Sequence, residues 1–215
     1  MATLERPSFI VHWSEIERPD DSHYDDDDEL MSIGAPFGRY FGLAKLGIHH
    51  ERLPPGRRTS FPHAESAEEE FVYVLEGEPD VWLDGHLYRL KQGDAVGFPA
   101  GTGIAHSFLN NTQAEVHLLV VGERHKAENR IFYPLHPHRR PLHDDWWDGH
   151  PTHALGPHDG MPDLVREAKG RGNSEKTGQS DCLSQCRRRA KRRPTPAWSF
   201  DGSLRCLRLN SAGGW

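Results

Sequence analysis

Between residues 71 and 121 turn-forming residues cut the chain at short intervals, and no helix of ordinary length fits between the cuts. Gly77-Glu78-Pro79 separates the apolar run 71–75 from Asp80-Val81-Trp82-Leu83, and Asp84-Gly85 is a two-residue hairpin signal leading into residues 86–90. Lys91-Gln92-Gly93-Asp94 precedes residues 95–98, while Asn110-Asn111-Thr112 divides 104–109 from 114–121. Upstream, residues 41–53 have the length of a strand, which Pro54-Pro55-Gly56 breaks. Short strands punctuated by Gly, Pro and Asn predict an all-β fold, an antiparallel barrel or double-sheet jelly roll.

The residues that carry chemistry fall at the joints of this pattern. In His63-Ala64-Glu65 the histidine and the carboxylate share one face of a strand, because side chains alternate along it. Glu70 then opens the apolar run, and Gly93-Asp94-Ala95-Val96-Gly97-Phe98-Pro99-Ala100-Gly101 leads to His106 and Asn110. Two imidazoles and acidic oxygens from separate strands suit one divalent ion such as Fe, Mn, Ni or Zn.

The arrangement resembles the two motifs of the cupin superfamily, G-x5-H-x-H-x3-4-E-x6-G and G-x5-P-x-G-x2-H-x3-N. Gly56, His63, Glu65, Glu70 and Gly77 follow the first; Gly93, Pro99, Gly101, His106 and Asn110 follow the second. His63 stands one residue farther from Gly56 than the pattern asks, Glu65 replaces the second histidine, and two extra residues separate Gly101 from His106. The carboxylate makes the site more anionic and harder than an all-imidazole one.

The resemblance implies an antiparallel double-stranded β-helix, the cupin or jelly-roll barrel, with irregular terminal arms. It implies a mononuclear divalent metal centre on His63, Glu65, Glu70 and His106, with one or two positions left for substrate; the x6-Gly77 spacing selects Glu70 over Glu68 and Glu69. It further implies an enzyme acting on a small oxygen-rich molecule, of dioxygenase type. The alternatives are a non-redox isomerase, lyase or lactone-type hydrolase, and a module that binds a sugar or acid without turnover. Non-redox chemistry needs a proton-transfer group, for which Glu65, His50, Tyr73 and His117 are candidates by position. Cupin barrels often pair, so the resemblance also implies a homodimer.

Charge divides the chain. Residues 1–162 hold 14 Lys and Arg against 27 Asp and Glu, whereas 163–215 hold 12 against 5. An acidic main domain repels phosphate, so nucleic acid is not expected as a ligand of the barrel. All three cysteines, Cys182, Cys186 and Cys206, lie in the basic tail, so the barrel has no disulfide. Residues 1–7 have no secretory pattern and no stretch has membrane-spanning length, which predicts a soluble cytoplasmic protein.

The expected organisation is an arm with an acidic linker over 1–37, the barrel over 38–133, a His/Pro/Trp-rich arm over 134–163, and a basic, disordered tail over 164–215. Residues 8–18 are apolar enough for a short packed strand or arm, whereas the acid run of 20–29 is expected to stay solvated. Trp146 and Trp147 are expected to cover apolar surface. Only one of His49 and His50 can face a barrel interior.

Overall fold

Alternation along residues 70–76 decides the architecture. Val72 and Val74 are fully buried, while Phe71 and Tyr73 between them remain exposed on the other face. A strand with one apolar face must bury it against a second layer. In the computed structural model, which describes residues 5–25 and 27–168, that layer is another sheet.

The elements follow in the order β1 (Ile33–Ala35), α1 (Phe37–Tyr40), β2 (Leu46–Leu53), β3 (Ala64–Glu65), β4 (Glu70–Glu76), β5 (Asp80–Leu83), β6 (His86–Arg89), β7 (Ala95–Phe98), β8 (His106–Leu109), β9 (Val116–Glu123) and β10 (Ile131–Phe132). A five-stranded sheet runs β1-β2-β9-β4-β7, a three-stranded sheet runs β6-β5-β8, and β10 pairs with β3. Every pairing between these strands is antiparallel.

The main core lies between the two larger sheets. Leu53, Val72, Val74, Phe98, Val116, Leu118 and Val120 come from one, and Val81 and Phe108 from the other. Asp84 and Gly85 have φ of 44° and 89°, the paired positive values of a tight hairpin turn between β5 and β6. Asn110 closes the β8–β9 connection from inside. Its Nδ2 donates to Leu53 O and Ala114 O, each at 2.7 Å, and its Oδ1 accepts from the amide and hydroxyl of Thr112.

Several expectations need correction at the edges. The expected arm of 1–37 already contains β1, which pairs with β2, and the single-turn α1 spans residue 38; the sheet therefore begins ahead of residue 38. Of the strand or arm expected over 8–18, the structure has the arm, with one 3-10 turn, Trp13–Glu15. The acid run is only partly solvated. Glu29 makes a two-pronged ion pair with buried Arg58, Asp20 pairs with Arg57, and the Tyr24 ring stacks on Phe61 at 4.0 Å between centroids. The arginines that would otherwise be buried unpaired explain this docking.

Trp147 packs against the cluster of Ala64, Trp82, Ala105 and Leu109, and Trp146 against Met31, Phe61 and Tyr133. The three cysteines and the basic cluster of the tail lie outside the described residues. Among the described residues no helix is long and apolar enough to cross a membrane.

Candidate metal centre

His63 and His106 meet because a single antiparallel bridge joins the turn before β3 to the start of β8. Each amide donates to the other's carbonyl, at 3.1 and 2.9 Å, and the rings lie 5.0 Å apart between centroids. Both histidines are 4 % exposed. Glu70, the first residue of β4, closes the group with its Oε1 3.3 Å from His106 Nε2.

A backbone carbonyl sets the tautomer of His63. His63 Nδ1 lies 2.9 Å from Phe61 O, and His106 Nδ1 lies 3.4 Å from Ile104 O. A carbonyl only accepts, so His63 Nδ1 carries the proton and its neutral ring keeps a lone pair on Nε2. Burial and the neighbouring His106 push the His63 ring down to about 4, which keeps it neutral.

Burial by itself would raise the Glu70 carboxyl. The hydrogen bond from His106 and the charges of His106, His63 and His49 outweigh that cost and hold it below the usual carboxylate range. The contact is nevertheless poorly aligned, since His106 Nε2 is buried without a satisfactory hydrogen-bond partner. His106 Nε2 and Glu70 Oε1 face each other at 3.3 Å. Such a pair is stable with a proton or a metal cation between its members. The donor set, two imidazoles and a carboxylate, suits a divalent ion by its chemistry, although among the described residues no group of three or more His, Cys, Asp or Glu side chains is arranged to hold one.

The cavity here is lined by Glu51, Thr59, Ser60, His63, Glu70, Val72, His106, Phe108 and Val120. It has room for about one water molecule. Glu51, which the motifs do not mark, is 6 % exposed and accepts a hydrogen bond from Ser32. Burial raises its carboxyl to about 7, against the Ser32 hydrogen bond, with Glu70 adding repulsion. Sequence alternation contains the clue: Glu51 stands two residues from His49 on β2, the same spacing as His63 and Glu65.

The other expected residues are placed differently. Glu65 lines a neighbouring pocket with Gly47, His49, Glu68, Glu69, Glu70 and Glu123, and it does not line the cavity of His63 and His106. Burial, then the charges of Glu68 and Glu70, raise Glu65 to about 8, so it holds a proton at neutral pH. Glu68 accepts from the Lys126 amide at 2.5 Å, and the Glu69 amide donates to Glu123. Of the three adjacent acids it is Glu70 that reaches His106.

His50 and Tyr73, expected as proton-transfer groups, sit on the opposite face of the sheet. His50 stacks under Trp13 at 4.5 Å and lies 3.1 Å from His117, which also excludes His117 from the cavity. The single phase of alternation explains both: His49 and Glu51 face inward, so His50 cannot. Tyr73 is 37 % exposed beside inward-facing Val72 and Val74, and its hydroxyl lies near Gly93.

A family model described as Cupin domain matches residues 49–122. A solved structure of a sugar phosphate isomerase of the cupin superfamily from Silicibacter pomeroyi is 33 % identical over 47 % of this chain, with a TM-score of 0.46. The match covers 64 % of that protein, less than two thirds of its length. A protein from Acidithiobacillus ferrooxidans, provisionally assigned as a sugar phosphate isomerase, is 28 % identical, with a TM-score of 0.52 over 59 % of this chain and 81 % of its own. The polyketide cyclase RemF of Streptomyces resistomycificus is 19 % identical, with a TM-score of 0.48 over 67 % of this chain and 96 % of its own. No curated protein sequence matches.

Proposed function

Because residues 49–122 of this chain are a cupin domain, we propose that its barrel holds one divalent cation on His63, Glu70 and His106 and catalyses a non-redox, isomerase- or lyase-type reaction of a small hydroxy-carbonyl compound. The observation that carries this reading is the occupancy of one cavity by two kinds of group. His63, Glu70 and His106 offer lone pairs to a cation, and Glu51 is a buried carboxyl that exchanges a proton near neutral pH.

When bound, the cation supplies Lewis-acid polarisation of a carbonyl or hydroxyl oxygen. The protein's own groups do the rest. Phe61 and Ile104 carbonyls orient the two imidazoles, and Glu70 offsets the cation's charge. Ser32 holds the Glu51 carboxyl, which takes or gives a proton at the cavity wall. Glu65, protonated at neutral pH in the adjoining pocket, is a second proton donor at the Glu70 side.

The cavity lining contains two acids and neither Lys nor Arg, so it favours an uncharged hydroxyl and carbonyl end of a substrate. The likeness to the A. ferrooxidans protein supports isomerisation. The dioxygenase reading would make the Glu51 proton idle, and it is the less economical one.

The test is a screen for aldose–ketose interconversion by metal-assayed protein, run beside an oxygen electrode. Turnover that EDTA abolishes, without oxygen uptake, and that Glu51→Gln removes while metal content stays unchanged, is the expected result. Metal-dependent oxygen uptake would reject it in favour of dioxygenation.

A further inference from the structure

The metal-centre reading raises the question of what fixes the carbonyl that fixes His63. That carbonyl belongs to Phe61, which is 1 % exposed and held on every side. Tyr24 stacks on one face of its ring at 4.0 Å and 5°, and His136 on the other at 4.0 Å and 12°. The guanidinium groups of Arg58 and Arg139 lie 4.6 and 5.1 Å from the ring centre. The Phe61 amide donates to the Tyr24 hydroxyl at 3.3 Å. Pro62 follows and restricts the ψ of Phe61. With ring, amide and ψ all restricted, the Phe61 carbonyl has one direction, and it receives the His63 Nδ1 proton at 2.9 Å.

The clamp joins three distant parts of the chain. Tyr24 comes from the acidic segment ahead of the barrel, Phe61 from the turn before β3, and His136 and Arg139 from the arm after it. Burial holds His136 down to about 4, so the stack is made with a neutral imidazole and adds no charge beside Arg58 and Arg139.

We infer that Phe61 and Tyr24 are positioning residues of the candidate metal centre, and that the two arms act through them to select the His63 tautomer that leaves Nε2 free of its proton. This rests on His63 being a ligand, but the tautomer itself exists without any metal and is measured separately. Stacked rings at this spacing give a rigid support, and a partner that fixes a ligand's tautomer typically governs metal affinity by 10- to 100-fold.

The experiment uses the full chain, labelled with 15N-histidine and stripped of metal. In the wild type, long-range 15N–1H spectra should show His63 as a single Nδ1–H tautomer. Tyr24→Leu, which removes both ring and hydroxyl, should give a mixture with the Nε2–H form and weaken Co(II) binding about 10-fold or more. Tyr24→Phe keeps the stack and should retain the wild-type tautomer more fully than Tyr24→Leu; it also serves if the leucine variant does not fold. A folded Tyr24→Leu protein with an unchanged His63 tautomer would overturn the inference, whatever its melting temperature. If only Tyr24→Phe folds, the inference predicts a detectable Nε2–H fraction from loss of the hydroxyl, and a spectrum identical to wild type would overturn it. Absence of Co(II) binding in the wild type would instead refute the metal reading and leave the tautomer result standing.

Discussion

Replacing Glu51 by Gln isolates the most perturbed carboxyl of the proposed cavity. Its pKa rises from 4.5 to about 7 on folding, because burial disfavours the anion. Such a change is worth about 3 kcal/mol. The folded state binds this proton more tightly than the unfolded state. The stabilisation is therefore complete below about pH 4.5 and is lost as pH climbs through about 7. Gln cannot ionise and keeps an oxygen for Ser32, so its stability lacks this slope. Urea unfolding of metal-free protein, followed by circular dichroism between pH 4 and 8, measures the difference between the two chains. Other titrations are common to both: Glu65, raised to about 8, and His49, His50, His63 and His136, lowered to about 4. Wild type should lose about 3 kcal/mol relative to the variant across that range. A difference that does not vary with pH would refute the burial argument and remove Glu51 as a proton-transfer group.

Other outcomes follow from single contacts. A Cβ at Gly85 would lie 2.4 Å from Gly156 N and 2.5 Å from Gly156 O at φ +89°, so Gly85→Ala should lower the melting temperature by about 5 °C or more. Asn110→Ala removes the Nδ2 donor from the Leu53 and Ala114 carbonyls, the latter keeping Thr112 Oγ1, and should cost about 1–3 kcal/mol in denaturant melts, yet folded protein should bind Co(II) as wild type does. Tyr73→Phe should leave turnover and Co(II) affinity unaltered, since the hydroxyl lies on the outer face near Gly93; a loss of either would move Tyr73 back into the site.

The strands were legible because their turns announce themselves: Asp84-Gly85 and the alternation of Phe71, Val72, Tyr73 and Val74 required no tertiary knowledge. Ile33–Ala35 was hidden, since three residues carry no period, and its strand exists through pairing with β2. Motif spacing picked out His63, Glu70 and His106, which the fold brings to one cavity, whereas it did not tell which pocket Glu65 enters. A two-residue strand does not determine which pocket its side chain enters. His49 and His50 differ by the phase of β2, which Leu53 in the core fixes and sequence alone left open. Glu51 needed Ser32, 19 residues away, to become recognisable as a buried acid. Tyr24 looked like one aromatic in a solvated acid run until Arg57 and Arg58 drew that run onto the barrel.

The central claim, that His63, Glu70 and His106 share one cation, is tested most directly by calorimetric titration of metal-free chain with Co(II). The account predicts one ion per chain for the wild type, and loss of that site in His106→Ala with the barrel still folded. Wild type that takes up no ion, or His106→Ala that binds with undiminished affinity, would contradict it.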